Sequence, residues 1–119
     1  MSAGTCVKAI LDVKFYRSAS GDEPVRSWLK DEVSADARRG IGGDIKTVQL
    51  GWPLGMPLVR KMDERLWEVR SSFPEGVARV MFTTLQRDMV LLHGFVKKSQ
   101  KTPKSDLELA KKRRDEVIK

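Results

Sequence analysis

The stretch from Leu66 to Lys104, LWEVRSSFPEGVARVMFTTLQRDMVLLHGFVKKSQKTPK, contains three successive runs rich in strand formers, the first two each closed by clear turn signals. Side chains alternate between the two faces of a strand, and strands this close in sequence pair antiparallel. In the first run Trp67 and Val69 share one face, while Leu66, Glu68 and Arg70 share the other. Phe73, Pro74, Glu75 and Gly76 connect it to a second run, in which Ala78, Val80 and Phe82 alternate with Val77, Arg79, Met81 and Thr83. After Gln86, Arg87 and Asp88, the third run, MVLLHGFVKK, is apolar on both faces, as a central strand is. Its two parity sets are Val90, Leu92, Gly94, Val96 and Lys98, and Met89, Leu91, His93, Phe95 and Lys97. If Val90, Leu92 and Val96 join Trp67 and Val69 in the core, then Arg70, Arg79 and Lys97 project together from the opposite, exposed face.

The remaining segments supply cover for such a sheet. Val7 to Arg17 is rich in strand formers and reads as a first strand. Asp22 can cap a helix with Pro24 in its first turn and Val25, Trp28 and Leu29 on its apolar face, ending near Val33. Ser34 can cap a second helix whose stripe is Ala37, Ile41, Ile45 and Val48, although Gly40, Gly42 and Gly43 require a bend or the close approach of another backbone. Trp52 to Pro57 is a loop, and Leu58 to Met62 a short strand. A last helix starts at Thr102 and Pro103, or at a Ser105–Glu108 capping box, with Leu107, Ala110, Arg114, Val117 and Ile118 inside. The expectation is one α+β domain over residues 1–119, ordered β-α-α-β-β-β-β-α: a curved, mostly antiparallel sheet of about five strands, a helical hairpin on one face, and a C-terminal helix.

Charge indicates the kind of partner. Twenty-three Lys and Arg against 16 Asp and Glu give a net charge of +7, which suits an anion such as nucleic acid. A single cysteine, Cys6, can form no intramolecular disulfide and no cysteine metal cluster. No apolar run approaches the length of a membrane span, so a cytoplasmic protein with no metal or other cofactor is expected.

The segments LWEVR, GVARVMF and, most specifically, LLHGFVKKSQKTPKSDLELAKKR resemble the phage-derived HigB-like branch of the RelE/ParE toxin superfamily, the toxic halves of type II toxin–antitoxin modules. The resemblance implies the same fold. It also implies ribosome-dependent cleavage of mRNA in the decoding site, without metal, by attack of the RNA 2′-hydroxyl on the adjacent phosphate. Arg70 and Arg79 would then hold the scissile phosphate, Lys97 or Lys98 would act in proton transfer or charge stabilisation, and Lys101 would grip neighbouring RNA backbone. Lys61, Lys104 and Trp52 are further candidates for RNA contact. The implied protein partner is a cognate antitoxin of the helix-turn-helix type.

The residues also admit other roles. Arg70 can pair with Glu68 or with an acid of the last helix, and the lysines can be a solvated strand end. His93, the single histidine, is either an acid–base group or a packed, hydrogen-bonded core residue. Trp28 and Trp67 fit core positions, while Trp52, in a loop, can stack a base. ParE-like members of the superfamily poison DNA gyrase instead of cutting RNA, and a non-enzymatic nucleic-acid-binding protein is the third class.

Overall fold

A computed structural model describes residues 10–74, 76–97 and 101–119. The elements are β1 (Asp12–Phe15), α1 (Pro24–Asp31), α2 (Ala35–Gly51), β2 (Val59–Asp63), β3 (Leu66–Phe73), β4 (Gly76–Leu85), β5 (Asp88–Lys97) and α3 (Lys104–Ile118). All five strands form one open sheet in the order β1-β5-β4-β3-β2, antiparallel except where β1 runs parallel to β5. The class, the strand number and the order of elements are those the sequence implies. Val7 to Ala9 of the expected first strand lie outside the described residues.

The helical hairpin forms where expected. Ser34 Oγ accepts the Ala37 N–H at 3.1 Å and so caps α2. Ala37, Ile41, Ile45 and Val48 are buried against Val59, Val69, Ala78, Val80, Phe82, Met89 and Leu91 of the sheet. Asp22 is not the cap of α1. That position belongs to Glu23, which makes no side-chain cap bond. Asp22 instead closes the preceding turn, accepting from the Ser20 hydroxyl at 3.0 Å and donating its N–H to Ser18 Oγ at 3.1 Å, around Gly21 at φ +93°.

Helix α2 runs unbroken through Gly40, Gly42 and Gly43, and a Cβ at any of them would meet nothing within 4 Å. The expected close approach of another backbone is therefore absent at these exposed positions. Each glycine costs helix propensity alone. Alanine at each site is expected to stabilise the protein by up to about 1 kcal/mol, read as a higher urea midpoint with an unchanged slope. A lower midpoint would show that α2 depends on its glycines.

The second face of the sheet is not exposed as the alternation suggested, because α3 lies on it. Tyr16, Leu66, Met81, Val90, Leu92 and Ala110 form a second core there, with Met62, Phe95, Leu107 and Val117 packed against it. A register shift between Met81 and Phe82 pairs them with His93 and Leu91, leaving Leu92 as an extra residue in β5. Such an insertion interrupts the alternation of faces. Met89 and Leu91 thus join the hairpin core and Gly94 lies against Trp28 of α1, while Leu92 and Phe95 join the α3 core. Neither parity set holds along the whole strand.

At its far end α3 is tied to the β2–β3 turn. Arg114 is 9 % exposed and donates from Nη1 to Asp63 Oδ2 at 2.6 Å and to the Glu64 carbonyl at 2.7 Å. The Arg114 hydrogen bond holds the Asp63 carboxyl below its ordinary range. A lowered folded-state pKa gives stability that is present above the unfolded value of about 3.9 and lost as pH falls through the folded value. Asp63→Asn is expected to flatten the acid limb of the stability–pH curve and leave the alkaline limb unchanged. An unaltered acid limb in pH-dependent urea titrations would contradict this role.

Candidate anion-binding site

The sheet register assembles the basic residues. Arg70 pairs with Arg79, and Arg79 with Phe95; in the next row Ser72 pairs with Val77, and Val77 with Lys97. Paired residues share a face, and neighbouring strands lie about 4.8 Å apart. Arg70, Arg79 and Lys97 therefore share one face, as expected. Arg60 of β2 joins them opposite Glu68. A register shift at Met62 puts it there; plain alternation carried back from the Glu64–Arg65 turn would have set Lys61 on this face and Arg60 on the other, so the sequence pattern did not show it.

The two arginines occupy different environments. Arg70 has 17 % of its side chain exposed, and its Nε is 3.9 Å from Glu68 Oε1. It lines a groove of about 370 Å³ with Asp44, Pro57, Leu58, Ser72 and Val77. Arg79 is fully buried and reaches no solvent. Its Nη1 lies 3.8 Å from Glu68 Oε1 and donates to Thr102 Oγ1 at 2.9 Å. The Thr102 hydroxyl in turn donates to Glu68 Oε2 at 2.7 Å. Burial draws the Arg79 guanidinium below its ordinary pKa, with Glu68 opposing the shift and Arg70 and Arg60 adding to it. An arginine remains charged in such a setting, so the buried cation needs its anion.

These contacts correct the expectation that Arg79 projects into solvent towards a phosphate. Glu68 shares its face on the adjacent strand, and Thr102 closes over the pair. Thr102 itself does not open the last helix. The N-cap of α3 is Pro103, without a side-chain cap bond, so the Ser105–Glu108 box does not form that cap either. Arg70 lies near Glu68, as the ion-pair expectation has it, and also lines the groove.

The other candidates separate. Lys97 is partly exposed on the arginine face, Lys101 and Lys104 are exposed on either side of Thr102 and Pro103, and Lys98 lies outside the described residues. Lys61 is exposed but pairs with Trp67, whose ring packs on the hairpin side, so it stands on the opposite face from Arg70. Trp52 is not presented to a base. Its ring meets Trp67 edge-on at 4.9 Å and Phe82 at 5.4 Å, in an aromatic cluster against the hairpin core. His93 is packed and bonded, its Nε2 2.6 Å from Asp106 Oδ1 and its ring stacked on Phe95 at 5.6 Å.

Residues 27–115 match the family model of the phage-derived Gp49-like proteins (DUF891). The chain belongs to this Gp49-like family. Every basic residue of the arginine face lies within the matched span, as do Glu68 and Thr102. The Gp49-like family is RelE-like and toxin-like, in keeping with the fold and with the resemblance in the C-terminal half. No curated protein matches the chain. Among the described residues of this Gp49-like protein, no helix is long and apolar enough to cross a membrane, and no group of three or more His, Cys, Asp or Glu side chains could hold a metal ion.

Proposed function

We propose that this Gp49-like protein is the toxin of a type II toxin–antitoxin module, of the HigB-like kind, and that it cleaves mRNA in the ribosomal decoding site. The observation that carries this reading is Arg70, a partly solvated guanidinium in a groove, backed across the sheet by Arg79 and flanked on the same face by Arg60 and Lys97. Attack of the RNA 2′-hydroxyl on its phosphate builds negative charge on the non-bridging oxygens. A planar guanidinium meets two such oxygens at once, and positive charge fixed behind it strengthens the effect in a partly desolvated site. In this reading Arg70 contacts the phosphate, Lys97 or Lys98 assists charge or proton transfer, and Lys101 and Lys104 hold adjoining backbone. Arg79 acts through its field and not by contact. A cognate antitoxin of the helix-turn-helix type would mask this basic face.

A second reading has its own support. Arg79 and His93 are both committed to internal acids, and a gyrase poison of the ParE kind or a purely binding protein needs neither for chemistry. Induced expression in a sensitive bacterium, with mapping of mRNA 5′ ends and of gyrase-dependent DNA breaks, separates the classes. Growth arrest with in-frame mRNA cuts is expected, and Arg70→Ala, checked for folding, is expected to abolish both. DNA breaks without mRNA cuts would move the protein to the gyrase class. Neither effect would leave a binding protein.

A further inference from the structure

Thr102 stands where β3, β4 and the connection to α3 meet. One hydroxyl uses both its donor and its acceptor capacity, each against an ionised partner: it donates to Glu68 Oε2 at 2.7 Å and accepts from Arg79 Nη1 at 2.9 Å. The residue is 9 % exposed, and both partners are fully buried. Helix α3 begins two residues later without a side-chain cap, and Pro103 contributes its carbonyl to the Leu107 N–H at 3.1 Å. Lys101 and Lys104, exposed on either side of the Thr102–Pro103 pair, are carried by this short segment.

We propose that Glu68 and Arg79 form a clasp for Thr102, and that Thr102 is a positioning residue which holds Lys101 and Lys104 over the arginine face of the sheet. The inference rests on the RNA-directed reading above for the use made of those lysines. Consecutive Cα atoms are about 3.8 Å apart, so a backbone fixed at Thr102 confines Lys101 before any anion arrives. A preorganised cation binds with less ordering at the moment of contact. A hydroxyl suits the task because it bridges the buried pair without adding charge to it. Valine has nearly the same shape but neither capacity, and would leave the carboxylate and the guanidinium each short of a partner.

The test uses the full chain as wild type, Thr102→Val and Thr102→Ser, with Thr102→Ala as a second hydroxyl-free variant that leaves room for a bridging water and so guards against failure to fold. Two quantities are read: amide hydrogen exchange at Leu107, and the salt dependence of binding to a short oligoribonucleotide. In the hydroxyl-free variants exchange at Leu107 is expected to accelerate, and the slope of log K against log salt to fall by about one, as when one phosphate contact is lost. Serine is expected to restore both. Unchanged exchange in the hydroxyl-free variants would overturn the clasp. Faster exchange with an unchanged salt slope would overturn the positioning of the lysines. Wild-type protein that shows no salt-dependent RNA binding would instead overturn the RNA-directed reading, while the exchange measurement would still decide the clasp.

Discussion

Arg79→Ala is expected to lower stability by about 3–5 kcal/mol, because removing one member of a buried ion pair strands the other. Glu68 has no exposed surface, its Oε1 faces guanidinium groups at 3.8 and 3.9 Å, and that atom makes no hydrogen bond among the described residues. Without Arg79 the carboxylate would keep Thr102 and the more distant Arg70, and would have to take up a proton or draw in water. Arg79→Lys is not expected to rescue fully, since an ammonium cannot reproduce the geometry of the guanidinium. Replacing the polar set together, Glu68→Leu with Arg79→Met and Thr102→Val, is expected to recover most of the loss, because it removes the desolvation cost along with the attraction. Urea titration of the three variants beside the wild type checks this. A loss below about 1 kcal/mol for Arg79→Ala would place the pair among solvent-screened surface ion pairs and contradict its burial. The same result governs how toxicity is interpreted: an inactive Arg79→Ala says little about phosphate contact, whereas Arg70 can be changed with less damage to the fold.

The path from sequence to this site was legible up to the point where long-range packing took over. Alternation along β3 and β4 put Arg70 and Arg79 on one face, and the turn at Asp88 fixed the order of the hairpins. What alternation could not report was the occupant of that face. Leu107, Ala110 and Val117 announce an apolar stripe on α3, but a stripe does not say which side of a sheet it covers. With the hairpin stripe already matched to Trp67 and Val69, the second face looked open. Leu66 and Met81 carried the missing signal: two large apolar side chains on the arginine side call for cover, whereas the acid at Glu68 reads on its own as solvent-facing. The extra residue at Leu92 was hidden for another reason: in a run as apolar as MVLLHGF, a one-residue insertion exchanges one apolar side chain for another and leaves no mark on the pattern. Trp52 misled because a loop position does not imply exposure, and its indole fills a gap between Trp67 and Phe82.

Gly94→Ala is expected to destabilise the protein by about 1–3 kcal/mol, the range for forcing added volume into a packed interior. A Cβ at this position would lie 2.5 Å from two ring carbons of Trp28 and 3.1 Å from a third. Trp28 cannot simply swing aside without loss, since it packs against the main core beside Val25, which is 1 % exposed and the buried residue of α1. Moving the ring lifts α1 from β5. Trp28→Leu should remove the clash as well as the contact, so the pair of substitutions is expected to be less destabilising than the sum of the two, with a coupling of at least about 0.5 kcal/mol. Additive losses in urea would show that Gly94 serves its own backbone and not the tryptophan. The geometry also predicts where the damage stops. Trp28 lies on the hairpin side of the sheet and Arg70 shares the face of α3, so folded Gly94→Ala protein is expected to bind an oligoribonucleotide with the salt slope of the wild type. A changed slope in the folded variant would mean that the two faces of the sheet communicate through β5.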